Sequence, residues 1–67
     1  MPYVEIHVAE SGYTTDQKRA VIARVTAALA EEMGRPPAST FVVINEVPNE
    51  NWGIGYETLA DIKARDD

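Results

Sequence analysis

The sequence predicts an α+β fold: one βαβ unit with parallel strands, a long amphipathic helix, and a C-terminal β-hairpin. Three observations carry that expectation. Apolar and polar residues alternate from Tyr3 to Val8, a capped amphipathic run follows from Asp16 to Met33, and a β-branched and aromatic run occupies Thr40 to Asn45. Strand, helix, strand in this order implies a crossover. A crossover helix packs back on its sheet most readily when the strands are parallel and the connection is right-handed.

In the first segment Val4, Ile6 and Val8 share one side, and Tyr3, Glu5 and His7 share the other, so the strand has a single core face that ends near Ala9. Glu10 to Thr14 is polar and contains Gly12. The run Thr14-Thr15-Asp16-Gln17 then fits a capping box, in which the Thr14 hydroxyl accepts from the Gln17 N–H and the Gln17 side chain accepts from the Thr14 N–H. Val21, Ile22, Val25, Ala28, Leu29 and Met33 recur at three- and four-residue steps along the helix. Gly34 followed by Arg35-Pro36-Pro37 stops it, because proline neither donates nor continues a helix.

Phe41, Val42, Val43 and Ile44 place apolar residues on both faces of the second strand, as an interior strand requires. The segment Trp52-Gly53-Ile54-Gly55-Tyr56 alternates large residues with glycines and reads as a short hairpin reaching a neighbouring subunit. Thr58 to Ala64 reads as a short helical turn, with Arg65-Asp66-Asp67 as a frayed end. There is no internal repeat or linker, so residues 1–67 are expected to form a single domain.

A chain of 67 residues buries only about 60% of its unfolded surface. Cysteine is absent, which removes disulfides and cysteine-based metal sites as staples and makes oligomerisation the expected source of further burial. Eleven acidic against six scattered basic residues argue against a phosphate-binding footprint, so no nucleic-acid partner is expected. No apolar run approaches the roughly 20 residues that span a bilayer, and the first eleven residues lack signal-peptide character. A cytoplasmic protein without a membrane partner is expected.

Pro2 directly follows Met1 and has two readings. A proline at a strand start loses nothing by lacking an N–H. Alternatively, removal of Met1 next to a small residue leaves Pro2 with a free secondary amine, a base whose reference pKa is about 8 and which falls on desolvation. His7 lies opposite Val4 and Ile6, and with no second histidine or any cysteine it suggests a structural role rather than a metal ligand. Arg24 and Arg35 read as solvated or end-of-helix charges, and Glu50 as a polar turn residue.

Pro2 opening strand one, Ile6-His7-Val8, Asp16-Gln17-Lys18 opening the helix, a helix ending before Pro36, and the late Asn51-Trp52-Gly53-Ile54-Gly55 together resemble the 4-oxalocrotonate tautomerase family. The resemblance covers nearly the whole chain. It implies a βαβ fold with a C-terminal hairpin, homohexamers built as trimers of dimers, no cofactor, and proton transfer by the amino-terminal proline, here Pro2. Members acting on dicarboxylates use one arginine in the loop after strand one and another on strand two. This chain has Ser11-Gly12-Tyr13 and Phe41 at those places, and Trp52 where the family has a pocket-walling aromatic residue.

The resemblance therefore implies an isomerase that interconverts keto and enol forms of a small 2-hydroxydienoate or other enolisable carbonyl compound. Pro2 is the expected catalytic residue, and Trp52, Phe41 and Tyr13 the expected substrate-binding residues. Loss of both arginines removes a bidentate anion clamp, which implies weak activity on dicarboxylates and preference for less charged or more aromatic substrates. Two alternatives stay open. One is a proline-bearing subunit of a hetero-oligomeric tautomerase or dehalogenase-like enzyme; the other is a non-catalytic binding or structural assembly.

Overall fold

The computed structural model describes residues 1–66. The element order is β1 (Tyr3–Ala9), α1 (Thr15–Met33), β2 (Phe41–Val47), β3 (Gly53–Ile54), β4 (Glu57–Thr58) and α2 (Leu59–Asp66), with 3-10 turns at Pro37–Ser39 and Asn49–Asn51. β1 and β2 pair in parallel from Tyr3↔Phe41 to Ala9↔Val47, and β3 and β4 pair antiparallel. This is the α+β arrangement expected from the sequence.

Local chemistry sets the helix ends. The Thr14 hydroxyl accepts from the Gln17 N–H at 3.1 Å, and the Gln17 side-chain oxygen accepts from the Thr14 N–H at 2.8 Å, so both halves of the capping box form. At the other end Gly34 takes φ +65°, a left-handed conformation that costs glycine nothing. The Gly34 N–H reaches the Ala30 carbonyl and the Arg35 N–H that of Leu29, which satisfies acceptors left over at the helix end. In the hairpin Gly55, at φ +62°, holds the first central position of a two-residue turn between Ile54 and Glu57.

Two boundaries differ from the sequence reading. β2 runs two residues past Asn45, because the parallel register continues through Val8↔Glu46 and Ala9↔Val47. Arg65 and Asp66 are helical rather than frayed. Arg65 reaches back to pair with Glu57 on β4, which ties the last turn of α2 to the hairpin. Asp67 lies outside the described residues.

The helix covers one face of a sheet only two strands wide. Val4, Ile6, Val8, Val42 and Ile44 turn that way and are half-buried, whereas Tyr3, Glu5, His7, Phe41, Val43 and Asn45 stand on the open face. Most of the apolar stripe of α1 finds no cover either: Val21, Ile22, Ala28 and Met33 remain exposed. Among the described residues no hydrophobic side chain is fully buried. The accessible surface is 5072 Å², against about 4200 Å² for a compact domain of this mass. The radius of gyration is 15.4 Å, where about 11 Å is normal for this length. The protomer is therefore more open than a compact domain of its size.

The cap at Thr14 is a local feature that assembly does not replace. Thr14→Ala is expected to destabilise the protein by about 1 kcal/mol per chain, read as a lowered denaturation midpoint at fixed protein concentration; an unchanged midpoint would contradict the assignment.

Candidate active site

Parallel pairing puts Pro2 and Phe41 at one end of the sheet. The Phe41 N–H donates to the Pro2 carbonyl at 2.9 Å, which extends the ladder one residue before β1 and fixes the backbone of Pro2. Pro2 is half-buried, and Met1 ahead of it is 82% exposed. While Met1 is attached, the Pro2 nitrogen belongs to a tertiary amide and has no basicity. Phe41 is 48% exposed on the open face of the sheet, the face occupied by Tyr3.

Tyr13 and Trp52 lie at the other end. Both follow the C-terminal ends of parallel strands, Tyr13 after β1 and Trp52 after β2, and a seven-residue strand separates the two ends by roughly 20 Å. Tyr13 borders an apolar cleft of about 290 Å³ between sheet and helix, floored by Ile6, Val8 and Ile44 and edged by Val21 and the Lys18 stem. Lys18 pairs with Glu46 of β2 across that cleft. Trp52 closes the 3-10 turn at Asn49–Asn51, its N–H 3.4 Å from the Asn49 carbonyl. Its own carbonyl accepts from the Leu59 N–H at 2.8 Å, which seats α2 and the hairpin against this turn. The four residues expected at one site are therefore divided within a protomer: Pro2 and Phe41 meet where the parallel strands begin, and Tyr13 and Trp52 follow their far ends.

The open face also carries a polar chain that the sequence did not disclose. The Tyr3 hydroxyl donates to Glu5 Oε2 at 3.2 Å, His7 Nε2 lies 3.0 Å from Glu5 Oε1, and Asn45 Nδ2 lies 3.3 Å from His7 Nδ1. The amide facing Nδ1 and the carboxylate facing Nε2 suit the tautomer protonated at Nε2. Partial desolvation and then the Glu5 carboxylate hold the Tyr3 phenol above its ordinary pKa. Alternation puts Tyr3, Glu5 and His7 on one side, but only the register places Asn45 beside His7. Glu50 is exposed in its turn, and Arg24 and Arg35 are exposed on and after α1.

Comparison with known proteins decides the family. Residues 2–62 match the model of the Tautomerase family, described as tautomerase enzyme, and the match begins at Pro2. The chain belongs to this family. It is 52% identical over 54 residues to a 2-hydroxymuconate tautomerase of Pseudomonas putida, covering 81% of this chain and 84% of the relative. Its fold is similar to that of a 4-oxalocrotonate tautomerase isozyme from Methylibium petroleiphilum, with TM-score 0.88, 28% identity, and coverage of 96% and 98% of the two chains. It is also similar to a heterohexameric 4-oxalocrotonate tautomerase from Chloroflexus aurantiacus J-10-fl, with TM-score 0.82, 31% identity, and coverage of 92% and 98%. The protein is an isomerase of the tautomerase kind. No helix among the described residues is long and apolar enough to cross a membrane.

Proposed function

We propose that Pro2, freed of Met1, is the general base of an enol-keto tautomerase acting on a small 2-hydroxydienoate. The observation that carries this reading is Pro2 itself, second in the sequence, half-buried, and anchored through its carbonyl at the mouth of the β1/β2 ladder. Its free nitrogen takes the proton of the 2-hydroxyl as the C2–O bond becomes a carbonyl. The double bonds shift along the chain, and the terminal carbon of the diene takes a proton from the pyrrolidinium. The base is regenerated and no electrons are gained or lost. General acid–base catalysis of this kind contributes about 10²- to 10⁴-fold.

The site is built between chains. Pro2 and Phe41 stand where the two parallel strands begin, whereas Tyr13 and Trp52 follow their far ends, so in this reading one pocket takes them from different copies. β1 has β2 on one edge only, and an unpaired edge is a template for another strand. Antiparallel pairing of β1 with β1 of a second copy lays Pro2 of each beside the end of the other's β1, a few residues before that copy's Tyr13. A homohexamer of such dimers is the assembly proposed here, with Trp52 walling the pocket and Tyr13 and Phe41 lining it.

Phe41 and the Ser11-Gly12-Tyr13 loop offer no guanidinium for a second carboxylate. A neutral hydroxyl or amide replaces a bidentate arginine contact at about half strength, which favours monocarboxylate or aromatic enols over dicarboxylates. The same gap supports a second reading. In a hetero-oligomer the arginines come from a related second chain, an arrangement for which the heterohexameric neighbour supplies a precedent.

Two experiments test this function. Pro2→Ala is expected to lower kcat/KM by about 10²-fold or more on a 2-hydroxydienoate, and a variant that retains Met1, verified by intact mass, is expected to be inactive. Equal activity in either would overturn the assignment. Because the neutral amine is the active form, kcat/KM should rise with pH through an apparent pKa below the reference of about 8 and fall away on its acid side. On substrate choice, Phe41→Arg should raise kcat/KM for a dicarboxylate dienol by about tenfold relative to a monocarboxylate. No change in that ratio would remove Phe41 from the pocket.

A further inference from the structure

The free edge of β1 carries its own register code. The Phe41 N–H bonds the Pro2 carbonyl and the Glu10 N–H bonds the Val47 carbonyl, both at 2.9 Å, so the even-numbered residues of β1 commit their backbone groups to β2. Parallel pairing then turns the N–H and C=O of Tyr3, Glu5, His7 and Ala9 to the free edge. In an antiparallel pair, residues directly opposite lie on the same face. A two-fold axis through Ile6 places Tyr3 opposite Ala9, Glu5 opposite His7, Val4 opposite Val8, and Ile6 opposite itself. This arrangement engages all four edge-facing residues of each strand.

We propose that Glu5 and His7 are positioning residues that fix this register between two copies of the chain, each Glu5 pairing with the other copy's His7 across the two-fold axis. The proposal rests on the antiparallel β1 pairing of the proposed assembly. It goes beyond that pairing by naming the residues that choose one register among several.

The alternatives are penalised by charge. Shifting the axis to Glu5 sets Glu5 against Glu5 and leaves the Ala9 backbone unpaired. Shifting it to His7 sets His7 against His7 and leaves Tyr3 unpaired. Like charges directly opposite are unfavourable, and opposite ones are favourable. A shift by a single residue would carry Val4, Ile6 and Val8 to the wrong face.

Backbone spacing admits the cross-strand partner as well as the in-strand one. Glu5 and His7 of one strand are two residues apart, about 6.6 Å along the backbone, whereas opposite Cβ atoms lie about 4.5–5.5 Å apart. In the protomer the two side chains reach each other at 3.0 Å, with Tyr3 bonded to Glu5 and Asn45 beside His7. Pairing brings the second copy's dyad alongside, and the four groups alternate acid, imidazole, acid, imidazole. Each carboxylate is then flanked by two imidazoles. The consequence for catalysis is positional: a shift of the two-fold axis by one residue slides Pro2 by two residues, roughly 7 Å, along the partner strand.

The test mixes two single variants of the full chain. Glu5→Lys sets a lysine against His7, and His7→Glu sets a glutamate against Glu5, so each alone should show assembly weakened by about tenfold or more by native mass, with matching loss of tautomerase activity. Mixed one to one, the introduced lysine of one chain faces the introduced glutamate of the other, and the remaining Glu5 faces the remaining His7 across the axis. Hetero-assemblies and activity should return. The double variant Glu5→Lys/His7→Glu should assemble by itself.

Three results would overturn the proposal: single variants that assemble and turn over like the parent; single variants that stay apart on mixing while the double variant assembles, which assigns the pair to one chain; and a double variant that fails together with the mixture. A parent protein found as a monomer would instead overturn the β1 pairing itself, so the two failures are distinguishable.

Discussion

Burial area is the constraint on which the rest of this structure depends. One helix laid on two strands has nowhere to hide its second face, and among the described residues no hydrophobic side chain reaches full burial. Hydrophobic stabilisation scales with area removed from water, at about 25 cal/mol per Å². In the proposed assembly, the accessible surface in excess of a compact domain is the surface that partner chains cover. Tyr3, Phe41 and Val43 on the open sheet face, Val21, Ile22 and Met33 on the helix, and Ile54 and Tyr56 on the hairpin point in three directions, which fits contact with more than one neighbour.

The same constraint shapes the site. A parallel pair separates the beginnings of its strands from their ends, and the residues expected in one pocket are divided between the two. In the proposed assembly a second chain running the other way reunites them. The contacts that add burial there are the ones that complete the pocket.

Much of the fold was legible because it is written locally. Thr14 and Gln17 announce the helix start by chemistry that needs no tertiary context, and Gly34 marks its end by a backbone conformation open to few other residues. Boundaries set by partners were not legible. Glu46 and Val47 lie beyond the run read as the second strand, yet the register with Val8 and Ala9 keeps them in the ladder. Arg65 looks like a loose end, yet Glu57 holds it. Pro2, Phe41, Tyr13 and Trp52 could each be named from the sequence, but their division between two ends of the sheet depends on parallel pairing. The Glu5–His7–Asn45 contact likewise needed the register, since Asn45 lies 38 positions from His7.

The lack of guanidinium groups at Phe41 and in the Ser11–Tyr13 loop bears on basicity as much as on substrate choice. Two nearby positive charges would disfavour a third on Pro2 and lower its pKa; without them, desolvation must do that work. In the proposed assembly desolvation depends on the neighbouring copies. In a lone protomer Pro2 is half-buried at the open end of a two-stranded sheet, so its freed amine would keep part of its water. Covered by Trp52 and Tyr13 of neighbouring copies, the same amine would lose water on most sides and its charged form would be penalised. On the proposed mechanism, the base thus becomes competent where the pocket that binds the enol is complete.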